Sequence, residues 1–77
     1  MPSNSFQQVV ALVGTFIGPE KAQGLVSRQL KYCNKTEDSF VLSDVGGIVV
    51  NIVAAASLYL GDATKKDELK AKLVAMG

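Results

Sequence analysis

Residues 45–60 read VGGIVVNIVAAASLYL and contain no charged side chain. Such a run can be a membrane span, part of a β-hairpin or a buried helix, and the choice among the three decides the fold class. A membrane-spanning helix needs about 20 apolar residues, whereas this run is shorter, contains Asn51 and is closed by Asp44 and Asp62. We therefore predict that the run does not span a membrane.

A β-hairpin is the second possibility for this region. Phe40–Leu42 and Ile48–Val53 could pair as strands across the glycines 46–47, since β-branched residues favour strands. The segment AAASLYL strongly prefers a helix, however, and no turn signal separates it from IVVNIV. The sequence favours a helix, with the hairpin over residues 40–53 as the alternative.

The predicted helix begins at a cap formed by Ser43 or Asp44, runs to residue 60 and stops at Gly61. Because it is apolar on all sides, we expect it to be the buried central helix of its domain. Its small residues, glycines 46–47 and alanines 54–56, should let neighbouring backbones approach closely.

Two further helices precede this region. The apolar residues from Phe6 to Ile17 recur at spacings of three and four, and Ser3 or Ser5 can cap their helix, Ser5 in a capping box with Gln8. Gly18 then stops this helix and Pro19 opens the next one, which continues to residue 33. Gly14 is costly within a helix, which indicates a close helix crossing.

A polar loop and a terminal helix complete the chain. Residues 34–39 are the loop, and Thr36–Leu42 is the place for an additional short helical turn. Thr64 and Asp67 fit a capping box for the last helix, on which Glu68 and Lys72 stand at the favourable i,i+4 spacing. We predict one all-α domain over residues 1–77, a compact bundle of four helices, or five with the short turn.

Composition limits the functions that this chain can have. Eight basic and seven acidic residues give a net charge of +1, too little positive charge for non-specific nucleic-acid binding. Cys33 is the sole cysteine, and no basic cluster precedes the first apolar segment as in a secretory signal. These features predict a reducing, cytoplasmic location.

The sequence carries no recognisable catalytic, metal or cofactor site. It contains no histidine, the commonest general base, and its carboxylates fall in caps and loops. Cys33 lies on an apolar helix face and is interpreted as buried packing. The Asn51 side chain is interpreted as hydrogen-bonded to loop backbone, with a register-setting pair across a dimer axis as the alternative. We predict a protein that is not an enzyme and has no cofactor.

Basic residues recur on one side of the second helix. The default interpretation of such a stripe is a solvated helix face, and the alternative is docking to an acidic protein surface or a nucleic-acid backbone. The residues of this candidate interaction face are Lys21, Arg28, Lys31, Tyr32 and Lys35. The first hypothesis is therefore a non-enzymatic module that binds a protein partner or a second copy of itself as a homodimer. The alternatives are nucleic-acid or anionic-surface binding through the same face, and an apolar-ligand carrier with a cavity at Ala54–Ala56.

The segment VALVGTFIGPEKAQGLVSRQL, followed later by IVAAASLYLGDATKKDELKAKL, resembles a small helical module of bacterial signalling proteins. The match rests on the IGP corner at residues 17–19 and on an A..LV.R pattern that starts at Ala22 and ends at Arg28. It is looser at Leu60 and Asp62, and residues 34–47 match nothing in that module. The resemblance covers about half of the chain. It implies an all-α accessory domain beside kinase or other signalling domains, and it brings no catalytic or binding residues.

Overall fold

The computed structural model describes residues 3–76, which form four α-helices and one 3₁₀ turn without any β-strand. This confirms the all-α, four-helix prediction and excludes the hairpin over residues 40–53. A single helical turn lies within the predicted 36–42, where Phe40 N–H donates to the Thr36 carbonyl, and the 3₁₀ turn at Leu42–Asp44 follows it. The four helices are α1 (Asn4–Ile17), α2 (Pro19–Tyr32), α3 (Val45–Ala56) and α4 (Ala63–Met76).

The helices pack in a ring around one apolar core. α1 packs against α2, α2 against α3, and α3 against α4, and α4 also packs against α1. Among residues 3–76, every buried side chain is apolar. The core residues are Phe6, Val9, Val13, Ala22, Leu25, Val26, Leu30, Phe40, Val45, Ile48, Val49, Ile52, Val53, Ala56, Leu69 and Leu73.

A single residue forms the corner between α1 and α2. Gly18 has a φ of 98°, a conformation that side chains rarely adopt, and its N–H donates to the Gly14 carbonyl over 2.9 Å. Pro19 then occupies the first position of α2. A Cβ atom on Gly14 would lie 3.2 Å from Pro19 Cα. The predicted corner and the predicted close approach at Gly14 are both confirmed.

Two helix starts differ from the capping boxes that the sequence predicts. Phe6 N–H donates to Ser3 Oγ over 3.1 Å, which makes Ser3 the cap of α1 and leaves Ser5 inside the helix. Thr64 N–H likewise donates to Asp62 Oδ1 over 2.8 Å, and α4 already begins at residue 63. The boxes at Ser5 and Thr64 are wrong because a capping residue must stand before the first helical turn.

α3 is buried on one face only, so the prediction of a helix surrounded on all sides is wrong. Gly46, Gly47, Val50, Asn51 and Ala54 are exposed. No atom lies within 4 Å of a Cβ built on either glycine, which contradicts their predicted close packing. The reason is the size of the bundle: the main neighbours of α3 are α2 and α4, and two neighbours cover one face of a helix.

The last turn after α3 is tighter than the predicted continuous helix. α3 ends at Ala56, whose carbonyl accepts hydrogen bonds from Tyr59 N–H at 2.9 Å and from Leu60 N–H at 3.1 Å. Positive φ values within residues 3–76 occur only at Gly18 and Asn34. The predicted helix end at residue 60, with Gly61 as its stop, is therefore wrong, because α3 ends at Ala56 and Gly61 does not adopt a positive φ.

The connection from α2 to α3 contributes to the core. Asn34 has a φ of 59°, and Lys35 N–H donates to the Leu30 carbonyl over 2.9 Å, the arrangement of a Schellman helix end. Phe40 N–H donates to the Thr36 carbonyl over 3.1 Å, and the Phe40 ring is fully buried. Residues 33–44 are thus an ordered connection that closes one side of the bundle.

Candidate interaction surface

Potential metal ligands are not clustered in the part of the chain that the structure describes. Within residues 3–76, no three His, Cys, Asp or Glu side chains come together as potential metal ligands. Cys33 is half-buried at the end of α2 and packs against the apolar core, so its predicted role in packing is confirmed although its burial is partial. Asn51 is exposed, and its Nδ2 lies 4.0 Å from Cys33 Sγ, the outer limit of an N–H···S contact. The predicted bond from Asn51 to loop backbone is wrong.

Two lysines of the predicted basic face interact with other parts of the molecule. Lys21 Nζ lies 5.1 Å from the centre of the Tyr59 ring, in the connection between α3 and α4. Lys35 Nζ lies 3.4 Å from Asp44 Oδ1 in the 3₁₀ turn. Asp44 also accepts a hydrogen bond from Val41 N–H through Oδ2 over 3.1 Å, and its side chain accepts none from the first turn of α3. These two lysines stand apart from the remaining three residues.

The other three residues of that face line a groove on α2, which we call the Arg28 groove. Its residues follow the spacing of one helix face, and they are Gly24, Ser27, Arg28, Lys31 and Tyr32. Its volume is about 440 Å³. Tyr32 is 72% exposed, and neither Arg28 nor Lys31 pairs with a carboxylate of residues 3–76. The groove thus offers two free cations beside an exposed aromatic ring.

An acidic rim borders the Arg28 groove. A second depression of about 310 Å³ lies between α2 and the connection, where Lys31 and Lys35 face Glu37 and Asp38. Ser27 Oγ, which also lines the Arg28 groove, donates to Glu37 Oε2 over 2.8 Å. The Glu37 carboxylate therefore stands at one side of the groove, in a depression lined by charges of both signs.

The exposed face of α3 is a second candidate surface. The sequence does not predict it, because the charge-free residues 45–60 have the composition of a buried helix. Val50 and Ala54 line a groove of about 330 Å³ that is bordered on α4 by Lys66, Asp67 and Lys70. Of the alanines predicted to line a cavity, Ala54 lies on this open surface, and Ala56 is packed in the core. The sequence feature that could have indicated this exposed surface is the glycine pair 46–47, which leaves one side of α3 without side chains to pack against a neighbouring helix.

Comparison with known proteins found no match to a family model, to a curated protein or to a solved structure. The resemblance to a module of bacterial signalling proteins therefore remains a prediction from the motifs at residues 17–28. Within residues 3–76, none of the helices combines the length and hydropathy needed to cross a bilayer.

Proposed function

We propose that this chain is a non-enzymatic interaction module that binds an acidic segment of a partner protein in the Arg28 groove. The observation that carries the proposal is the pair of exposed cations, Arg28 and Lys31, without carboxylate partners and next to the exposed Tyr32 ring. Arginine and tyrosine are enriched among the residues that dominate binding energy at protein interfaces. Arginine also binds carboxylates through two parallel hydrogen bonds.

The size and charge of the groove favour a protein segment over a nucleic acid. Binding to a nucleic-acid backbone typically uses about 6–10 phosphate contacts, whereas the Arg28 groove presents two cations beside the carboxylate of Glu37. A short peptide with a few carboxylates and an apolar side chain matches two cations and one aromatic ring. A cytoplasmic role beside bacterial signalling domains belongs to the same proposal and rests on the resemblance at residues 17–28.

Isothermal titration calorimetry with a synthetic peptide of repeating Glu-Glu-Leu units tests the proposal. We expect binding, with Arg28→Glu and Lys31→Glu each weakening it by about tenfold, as expected for central interface residues. Lys65→Glu, the same change on the exposed surface of α4, is the matched control and should leave the affinity unchanged. Equal weakening by Lys65→Glu would show a non-specific charge effect and contradict the proposal.

The same protein titrated with a DNA duplex and with single-stranded RNA separates the second candidate, binding to an anionic polymer. Nucleic-acid binding through Arg28 and Lys31 would weaken steeply between about 50 and 200 mM salt. Nucleic-acid affinity above peptide affinity at the higher salt would replace the acidic-segment proposal.

A further inference from the structure

The exposed face of α3 carries a row of uncharged residues at intervals of four. Side chains at i,i+4 form a ridge along a helix surface. Ser57 N–H donates to the Val53 carbonyl over 2.9 Å, which extends the α-helical pattern one residue past Ala56. Leu58 stands in the tighter turn that follows, where its N–H donates to the Ala55 carbonyl over 3.3 Å. The ridge consists of Gly46, Val50 and Ala54 on α3, and the exposed Leu58 continues the row from that turn.

The sizes along this ridge alternate between small and large. Gly46 and Ala54 are small, whereas Val50 and Leu58 are large and are 70% and 85% exposed. Read in the opposite direction, the same ridge alternates between large and small. An antiparallel copy of the ridge places Leu58 opposite Gly46 and Val50 opposite Ala54. Both pairings are centred on residue 52, so one two-fold axis generates them together.

We propose that two copies of this chain associate through the exposed faces of their α3 helices, antiparallel, about a two-fold axis near residue 52. Each large side chain of one copy then lies over a small residue of the other, and the two-fold axis repeats the same contact on both sides. Space for this contact exists, because no atom lies within 4 Å of a Cβ built on Gly46 or Gly47.

A second copy fits this face better than an unrelated partner. When the ridge meets an antiparallel copy of itself, a large residue faces a small residue at each contact. An unrelated partner would need a surface of matching shape at each of these positions. No charged residue occurs from Val45 to Leu60, so the two ridges themselves bring no like charges together. The α4 border of this face carries charges of both signs, on Lys66, Asp67 and Lys70. Asn51 stands one residue from the centre, and its amide both donates and accepts, which lets the two copies exchange hydrogen bonds.

Light scattering and sedimentation equilibrium on the full chain test the association. We expect a mass approaching twice 8.1 kDa as concentration rises toward ~1 mM, the range of weak association. Val50→Lys should weaken dimerisation by at least about tenfold, because it places two charges beside the axis. Ala11→Lys is the control, because Ala11 is exposed on α1, which is not a main neighbour of α3. A monomer throughout, or equal weakening by Ala11→Lys, overturns the proposal.

A size exchange tests the antiparallel arrangement itself. Val50→Ala leaves alanine opposite alanine, and Ala54→Val crowds valine against valine, so each single change should weaken the dimer severalfold. The double variant Val50→Ala/Ala54→Val restores one large and one small residue at each contact, and it should recover most of the affinity. Both positions are exposed, so circular dichroism should show an intact monomer in every variant. A double variant weaker than either single variant overturns the antiparallel pairing. None of these changes touches the Arg28 groove, so failure here leaves the acidic-segment proposal standing.

Discussion

Ser27 Oγ donates a hydrogen bond to Glu37 Oε2 over 2.8 Å, and this bond attaches the α2–α3 connection to the face of α2 that carries the Arg28 groove. The backbone of Glu37 holds a second element, because its carbonyl accepts from Ser3 N–H over 2.8 Å. One residue of a polar loop thereby joins the start of α1, the middle of α2 and the rim of the candidate binding surface.

The Glu37 carboxylate should reduce the affinity of the groove for acidic ligands. Glu37→Gln keeps an oxygen that can accept from Ser27 and removes the negative charge. We expect binding of the Glu-Glu-Leu peptide to strengthen by about twofold, since a partly exposed charge contributes up to about 1 kcal/mol. Unchanged or weaker affinity in calorimetry would show that the acidic rim does not oppose the ligand.

Phe40 should be essential to stability although it lies outside the helices. Its ring is fully buried, and removing a buried phenylalanine side chain typically costs about 3–5 kcal/mol. Phe40→Leu keeps most of the apolar volume and should lower the free energy of unfolding by about 1–2 kcal/mol. The neighbouring Val41 is 50% exposed, and Val41→Ala is the control, with a change of at most about 0.5 kcal/mol. Urea denaturation that gives equal losses for the two positions would contradict this account of the connection.

The residue that caps α4 is Asp62 in the structure, whereas the sequence pattern predicts Thr64. Asp62→Ala removes the acceptor for Thr64 N–H and should cost about 1 kcal/mol of unfolding free energy. Asp62→Asn retains a side-chain acceptor and should cost less. Thr64→Ala should be nearly neutral, because Thr64 already lies within the helix. A larger loss for Thr64→Ala than for Asp62→Ala in thermal denaturation would restore the capping box that the sequence predicts.

Two glycines should respond to alanine in opposite directions. Gly24 lies within α2, and no atom stands within 4 Å of its Cβ position. Gly24→Ala should therefore stabilise the fold by about 1 kcal/mol through helix propensity. Gly18 has a φ of 98°, and Gly18→Ala should destabilise the fold by about 1–3 kcal/mol because alanine is strained there. The midpoint of thermal unfolding reports both changes, and equal signs would contradict the geometry of the corner.

The helix count could be predicted because it depends on local signals. The Gly18–Pro19 pair and the spacing of apolar residues act within a few positions of the chain, and the structure reproduces their predictions. The ion pair of Glu68 and Lys72, whose charged atoms lie 3.8 Å apart, follows in the same way from helix spacing. Such features need no knowledge of the neighbouring helices.

Which side chains are buried depends on the neighbouring helices, and the sequence predicts this less well than it predicts the helices themselves. The charge-free run indicated a helix enclosed on all sides, yet two main neighbours cover only half of α3. Phe40 gave no periodic signal, because it stands alone between a polar loop and a short turn. Within the candidate face, helix spacing grouped Arg28, Lys31 and Tyr32 correctly. It could not show that Lys21 contacts Tyr59 or that Lys35 pairs with Asp44, since those partners come from distant segments.

Because the interior of residues 3–76 is wholly apolar, many core residues can be exchanged in evolution without a change of fold. No hydrogen-bonded side chain inside the bundle demands one exact partner, and aliphatic interiors tolerate many simultaneous exchanges when total volume is kept. Two proteins could therefore share these four helices while agreeing at few positions, most of them at the Gly18 corner and the capping residues. Among proteins related in this way, we expect sequence similarity to persist longer at turns and helix ends than at interior positions.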